Sequence, residues 1–130
     1  MAEHLAIFSQ HLGDKVINGI KTVDFRFSKN AVVPYEKLLK GDTVYIKNSG
    51  EKIIGQIEVE NVLFFDNLND EKVSTIINNY LKDAALSISD LDLFSKNARF
   101  LTIIFFKNPQ RYIANLNIPK KDRRGWSIIS

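Results

Sequence analysis

The sequence predicts an α+β fold that is mainly β, a small mixed barrel of five to six strands flanked by two to three α-helices. Segments with strand-like alternation outnumber those with helical spacing. Several strand-like segments also follow one another without the helix between each pair that a parallel α/β sheet requires. Barrels of this size fill their interior with side chains, so we expect a ligand at a mouth of the barrel or in a surface cleft.

The length and composition narrow the class of protein. A chain of 130 residues is typical of one compact domain, and we expect residues 1–130 to form a single one. There is no cysteine, and we assign no role to His4 or His11, so we predict no disulfide, metal site or cofactor. No stretch approaches the roughly 20 apolar residues of a membrane span, which predicts a cytoplasmic protein without membrane contact.

Positive charge is concentrated at the end of the chain. Residues 1–98 contain 11 basic and 14 acidic residues, whereas residues 99–130 contain 7 basic residues and 1 acidic residue. This asymmetry indicates a polyanionic partner such as RNA. A solvated basic tail is the alternative.

The N-terminal third predicts strand, helix, strand. Residues 5–8 are rich in β-forming residues, Ser9 is a candidate N-cap, and apolar residues at helical spacing lead to Gly19, where a helix would end. Residues 21–27 then alternate with the period of a strand. The apolar face carries Val23, Phe25 and Phe27, and the other carries Thr22, Asp24 and Arg26.

The middle of the chain predicts a connection followed by a hairpin. Residues 28–42 contain a proline and end in Gly-Asp, which indicates a loop with at most one helical turn. Two strands then flank a turn at residues 48–51. The second strand alternates apolar and polar residues, as expected for a half-buried sheet.

The last half predicts two helices and two strands. Apolar residues at helical spacing begin after Asp70, and Ser89 with Asp92 resembles a capping box for a shorter helix. Residues 100–106 are apolar on both faces and predict a central strand. After Pro109 we expect a polar connection and then a closing strand at the end of the chain.

The succession of these elements resembles the ASCH domain of the PUA-like superfamily. The sequence GIKTVDFR at residues 19–26 is similar to that family's Gly-x-Lys-x-x-Glu-x-Arg signature. The segments GDTVYIKNSG and IIGQIEVENV and the late pair Gly125-Trp126 are similar to later family elements and occur in the same order.

This resemblance implies a closed β-barrel with a cleft lined by the signature, and RNA binding. Some relatives are similar to amidohydrolases that deacetylate a modified cytidine, or to small ribonucleases. Asp24 stands where the hydrolase signature has its threonine nucleophile, which leaves catalysis open. If the protein is an enzyme, the candidate catalytic residues are Lys21, Thr22 and Asp24.

The residues of the signature offer a nucleotide a matching set of groups. Lys21 can screen a phosphate, Asp24 can accept a hydrogen bond from an exocyclic amine, and Arg26 can hold a phosphate or stack on a base. Thr22 adds a hydroxyl. The alternative is a surface ion pair between Asp24 and Arg26, worth ~0–1 kcal/mol.

Two further groups could extend the binding surface. Lys47 and Ser49, with Asn48 between them, lie at a predicted hairpin end, where a plain polar turn is equally consistent with the sequence. Near the C-terminus a basic segment precedes an aromatic residue that could stack on a base or pack in the core. Its members are Lys120, Lys121, Arg123, Arg124 and Trp126.

Overall fold

The computed structural model describes residues 1–116 and 125–130, which form six strands and three helices. This confirms the mainly β, α+β fold. In chain order the elements are β1 (Glu3–Phe8), α1 (Leu12–Ile17), β2 (Val23–Ser28), β3 (Thr43–Asn48), β4 (Ile53–Phe65), α2 (Asp70–Asn78), α3 (Ile88–Ser95), β5 (Phe100–Leu116) and β6 (Trp126–Ile128).

The strands form one curled, mixed sheet in the order β2-β5-β4-β3-β1-β6. Strands β1 and β3 run parallel, and the other pairs are antiparallel. Strand β5 is paired on both sides, which confirms the predicted central strand. Among the described residues, β2 and β6 form the two edges and are not hydrogen-bonded to each other as strands, so the sheet is a half-barrel rather than the closed barrel that the resemblance implies.

The inner face of the curled sheet holds the main hydrophobic core. Residues of β1, β3, β4 and β5 pack there together with Trp126 of β6, and α1 adds Leu12, Val16 and Ile17. Gly55 of β4 has no room for a side chain, since a Cβ would lie 2.2 Å from the carbonyl oxygen of Gln110. This glycine therefore lets β5 approach β4 closely.

The helical region covers the outer face of β2 and β5. Val23 and Phe25 of β2 and Leu101 and Ile103 of β5 pack there with Ile77 of α2 and Leu91 of α3, all of them buried. Strand β2 is therefore covered on its outer face by helices, although it lies at the edge of the sheet. Burying each such large apolar side chain contributes about 1.5–3 kcal/mol.

Three local predictions were wrong. Helix α1 begins after His11, which adopts a left-handed conformation, and not after Ser9. The capping box of α3 pairs Ser87 with Asp90, two positions before the predicted pair. Each of these two side chains accepts a hydrogen bond from the backbone amide of the other residue at the start of the helix.

Strand β5 also continues past Pro109, where we expected a polar connection to begin. Pro109 lies within an irregularity of the β4–β5 register, between the pairs Glu58↔Lys107 and Gln56↔Gln110. A bulge tolerates proline because the missing amide hydrogen would have had no ladder partner there. The prediction for Gly19 was correct, since it follows the end of α1 with φ 79° and donates its amide to the carbonyl of Val16.

No helix within the described ranges is long and apolar enough to cross a membrane.

Candidate functional site

The polar face of β2 lies on the inner face of the sheet and is not open to solvent. Asp24 is opposite Ile104 in the β2–β5 ladder, and Arg26 is opposite Thr102. Residues directly opposite each other in a ladder share a face, and both partners are buried. Asp24 is only 5% exposed. The alternation therefore predicted the strand correctly, but both faces of the strand are covered.

A cluster of three charged side chains occupies this face. The Lys21 Nζ lies 2.6 Å from the carbonyl oxygen of Ala84 and 3.4 Å from Asp24 Oδ1. The Arg26 Nε donates to Asp24 Oδ2 at 2.6 Å. The Asp24–Arg26 ion pair that we considered as an alternative therefore exists, but it is largely buried and shares its carboxylate with a second cation.

The surroundings shift the acidities of Lys21 and Asp24. Burial lowers the pKa of the Lys21 ammonium, and the attraction of Asp24 offsets this only in part. Burial also opposes ionisation of Asp24, but the charges of Arg26 and Lys21 and their hydrogen bonds hold the pKa of that carboxyl below its usual value. The cluster thus keeps a carboxylate ionised beside an amine that loses its proton more easily than an exposed lysine.

Arg26 joins the two edges of the half-barrel. Its Nη1 donates to the carbonyl oxygen of Ile7 on β1 at 3.1 Å and to that of Gly125, just before β6, at 3.3 Å. The guanidinium carbon lies 4.7 Å from the centre of the Phe8 ring and 5.3 Å from that of Trp126. A guanidinium has five N–H donors. Three of them are engaged, and only Nη2 has no acceptor among the described residues.

A recess of about 210 Å³ opens beside this cluster. We call it the first recess. Lys21, Asp24 and Arg26 supply its charged groups, and its apolar walls include Phe8, Leu12 and Leu86. The volume is below the roughly 300–1,000 Å³ of pockets that enclose a drug-sized ligand, so the recess suits a single ring or a short polar group.

A second recess of about 200 Å³ adjoins the first. Arg26 and Phe27 line both recesses. The remaining wall of the second recess includes Ser28, Val33, Thr102 and Trp126.

The predicted site residues divide into those within the recesses and those outside. Lys21, Asp24, Arg26 and Trp126 line one or both recesses. Thr22, Lys47 and Ser49 line neither of them, and Thr22 and Ser49 are exposed. The predicted basic residues Lys120, Lys121, Arg123 and Arg124 lie outside the described residues.

Asn48, which we grouped with Lys47 and Ser49, is engaged in holding α1. Its Oδ1 accepts from the Gly13 amide at 2.9 Å, and its Nδ2 donates to Asp14 at 3.1 Å. A Cβ on Gly13 would lie 2.6 Å from the same Oδ1, so the glycine is needed for this contact. Asn48 is buried by it and does not extend the recess.

Trp126 and His4 belong to a second buried polar network. The Trp126 Nε1 donates to His4 Nδ1 at 3.0 Å, and His4 Nε2 lies 2.9 Å from Asp42 Oδ2. We assigned His4 no role from the sequence because no partner stands near it along the chain. Asp42 is 38 residues away and Trp126 is 122, so only the pairing of β1 with β3 and β6 reveals the contact.

Two further observations concern a buried hydroxyl and the potential ligands of a metal ion. The hydroxyl of Ser127 is buried and has no hydrogen-bond partner within the described ranges. No group of three or more potential ligands from histidine, cysteine, aspartate and glutamate occurs there that could hold a metal ion.

Comparisons with known proteins gave structural matches only. No protein-family model and no curated protein sequence matches the chain. The crystal structure of an ASCH protein from Zymomonas mobilis superimposes with a TM-score of 0.76 at 17% identity, covering 99% of this chain and 88% of that one. A mutant form of the same protein gives a TM-score of 0.79 at 16% identity, with 99% and 89% covered.

More distant matches have other names. The N-terminal domain of McrB from Staphylothermus marinus gives a TM-score of 0.51 at 12% identity, covering 88% of this chain and 76% of that one. Protein EF3133 from Enterococcus faecalis gives 0.53 at 14% identity, covering 91% and 87%. At these identities the matches establish a shared fold.

Proposed function

Since the chain has an ASCH-type, PUA-like fold, we propose that it is a binding module for RNA or for a modified nucleotide, and that the first recess receives the base. One observation carries the proposal. Lys21, Asp24 and Arg26 converge at the floor of an open recess with apolar walls, and they do not spread over an exposed surface.

The chemistry of the recess complements a nucleobase. Each Asp24 oxygen already has a cationic partner, and a carboxylate offers about four lone-pair sites, so it can still accept from an exocyclic amine or ring N–H. The side chains of Phe8 and Leu86 provide apolar contact for the ring faces. The Nη2 of Arg26 can donate to a phosphate or to a carbonyl oxygen of the base.

The phosphate backbone would extend beyond the recess. We propose that it contacts the cations of the C-terminal segment, and that Lys47, Ser49 and Thr22 border its path. The basic members of that segment are Lys120, Lys121, Arg123 and Arg124. Neutralising about four phosphates of a single strand predicts that log K falls with log salt at a slope of roughly −3.

Fluorescence anisotropy with a labelled single-stranded RNA between 50 and 200 mM salt tests this proposal. Replacing Lys120 and Lys121 together by alanine should make the slope shallower by roughly 1.4, because two phosphate contacts are lost. Lys107→Ala is the matched control, since Lys107 pairs with Glu58 and lines neither recess. Binding that does not respond to salt would contradict the phosphate contacts.

The first recess needs its own test. Ser9 is exposed and lines the first recess, so Ser9→Trp should fill the recess without disturbing the core. We expect this variant to lose binding of RNA and of single nucleosides at an unchanged melting temperature. Full affinity in Ser9→Trp would place the base elsewhere and would reject the first recess as its site.

A second candidate function is hydrolysis, and the environment of Lys21 favours it. A buried amine with a lowered pKa, next to a carboxylate and open to a recess, is a common arrangement for a general base. On an acetylated cytidine, the Lys21 amine would take a proton from water as the water oxygen adds to the acetyl carbonyl. Transfer of that proton to the departing nitrogen would give cytidine and acetic acid, which then releases its proton to water.

Chromatography after incubation with acetylated cytidine, and separately with a short RNA, distinguishes the two functions. If the protein is an enzyme, the unmodified protein should form product and the Lys21→Met variant should lose turnover. The Lys107→Met variant should remain fully active. Product from neither substrate would leave the binding module as the function. Thr22 is exposed outside the recess, so we expect Thr22→Val to leave turnover of acetylated cytidine unchanged.

A further inference from the structure

We infer that the second recess is a binding subsite for the neighbouring base of a single-stranded nucleic acid, so that the ligand is at least two nucleotides long and not a free nucleotide. The inference rests on the proposed function, because it takes the first recess as the site of the first base. It adds a second site and a ligand class.

The two recesses are matched in size and are adjacent. Their volumes are about 210 and 200 Å³, and each is large enough for one ring but small for a whole nucleotide. Arg26 and Phe27 line both, so the two recesses adjoin at these side chains. A ligand with two rings joined by a short linker fits this arrangement better than one large ring system.

The group between the recesses suits the linker of a nucleic acid. Nε and Nη1 of Arg26 are held by Asp24, Ile7 and Gly125, which fixes the guanidinium at the boundary. Both remaining N–H groups are on Nη2, for which the described residues provide no acceptor. A phosphate between two bases is a strong acceptor for paired N–H donors, and it carries the charge that a guanidinium prefers.

The walls of the second recess suit a base and not a second anion. Val33, Pro34 and the ring of Trp126 give it an apolar surface, and Thr102 and Ser28 add hydroxyls. Among the residues that the structure describes, Arg26 is the only one with a charged side chain that lines it. Because Arg26 is the charged side chain that both recesses share, its position indicates one anionic linker flanked by two uncharged rings.

Isothermal titration of the four ribonucleosides and of the dinucleotides built from them tests the inference. We expect the best dinucleotide to bind about tenfold more tightly than either of its nucleosides, as expected for one additional base contact. Ser28→Trp should fill the second recess and remove this gain, while nucleoside binding stays unchanged. Ser74→Trp, on the exposed surface of α2, is the control for adding an indole.

The outcomes separate the two proposals. Equal affinity for nucleosides and dinucleotides would overturn the second subsite and leave the first recess as a nucleoside site. A dinucleotide gain that persists in Ser28→Trp, with a circular dichroism spectrum like that of the unmodified protein, would also overturn it. Binding of neither ligand class would reject the proposed function together with this inference.

Discussion

Asp24 and Asp42 are both buried carboxylates with a lowered pKa, yet their surroundings differ in one respect. Asp42 accepts from the amides of Ala2 and Leu39 and from His4, and the chain of hydrogen bonds continues to Trp126. The indole N–H can only donate, so His4 Nδ1 must accept and its Nε2–H must point to Asp42. Each of these donors has an acceptor, and the network is closed.

The Asp24 cluster has unused capacity. Its carboxylate is shared by Lys21 and Arg26, Nη2 of Arg26 has no acceptor within the described ranges, and the cluster borders two recesses. Burying polar groups is costly unless they are hydrogen-bonded. Spare donors on a side chain that lines a recess, and not burial or a shifted pKa alone, therefore distinguish a candidate site from a structural network.

The largest effect is expected where removal of a group leaves charges unpaired. Asp24→Ala leaves the buried Lys21 and the largely buried Arg26 without their carboxylate, which should lower the free energy of unfolding by about 3–5 kcal/mol. Urea denaturation measures this. A loss below about 1 kcal/mol would mean that solvent reaches both cations and that the cluster is not buried.

Asp42→Ala should lower the free energy of unfolding somewhat less than Asp24→Ala, and it should leave RNA binding nearly unchanged. The side chain of His4 and the amides of Ala2 and Leu39 lose their acceptor, which predicts a loss of about 2–3 kcal/mol. RNA affinity, measured below the melting temperature, should stay within twofold of the unmodified protein. A tenfold loss of affinity in this variant would show that the two networks are coupled.

Trp126→Phe probes the link between the networks. The ring still packs in the core and against Arg26, but His4 Nδ1 loses its donor, so we expect a loss of about 1–3 kcal/mol. Dinucleotide binding should change little if apolar contact is the contribution of Trp126 to the second recess. Thermal unfolding and titration of the same sample check both statements.

The smallest effect is expected in the pH dependence of stability. Burial opposes ionisation of both carboxyls, but the cations around Asp24 and the hydrogen bonds to Asp42 hold each pKa below the ordinary value of 3.8. Each group therefore stabilises the fold above that value, and the contribution is lost as pH falls through the folded-state pKa. Urea midpoints measured from pH 7 to pH 2 should fall less steeply in Asp42→Asn than in the unmodified protein.

An equal acid-induced loss in Asp42→Asn and in the unmodified protein would contradict the lowered pKa of Asp42. The corresponding change in Asp24→Asn should be accompanied by loss of RNA binding at pH 7, which Asp42→Asn should retain. The pair of variants therefore sharpens the contrast between the two carboxylates under one set of conditions.

Elements that depend on near neighbours along the chain follow from the amino-acid sequence alone. The two-residue alternation of 21–27, the apolar run of 100–106 and the Gly19 stop of α1 predict strands and a helix end from local chemistry. The signature at residues 19–26 also brought Lys21, Asp24 and Arg26 to attention, and the structure brings all three to one recess.

The groups that those side chains contact depend on the tertiary structure. The Ala84 carbonyl that holds Lys21 is 63 residues away, and Gly125, which accepts from Arg26, is 99. Periodicity shows that a strand has two faces, but the order of strands and the position of the helices decide which face is covered. Both faces of β2 are covered, because helices pack on one side and the curled sheet encloses the other. The polar face, for which a surface ion pair was the alternative, therefore borders a recess.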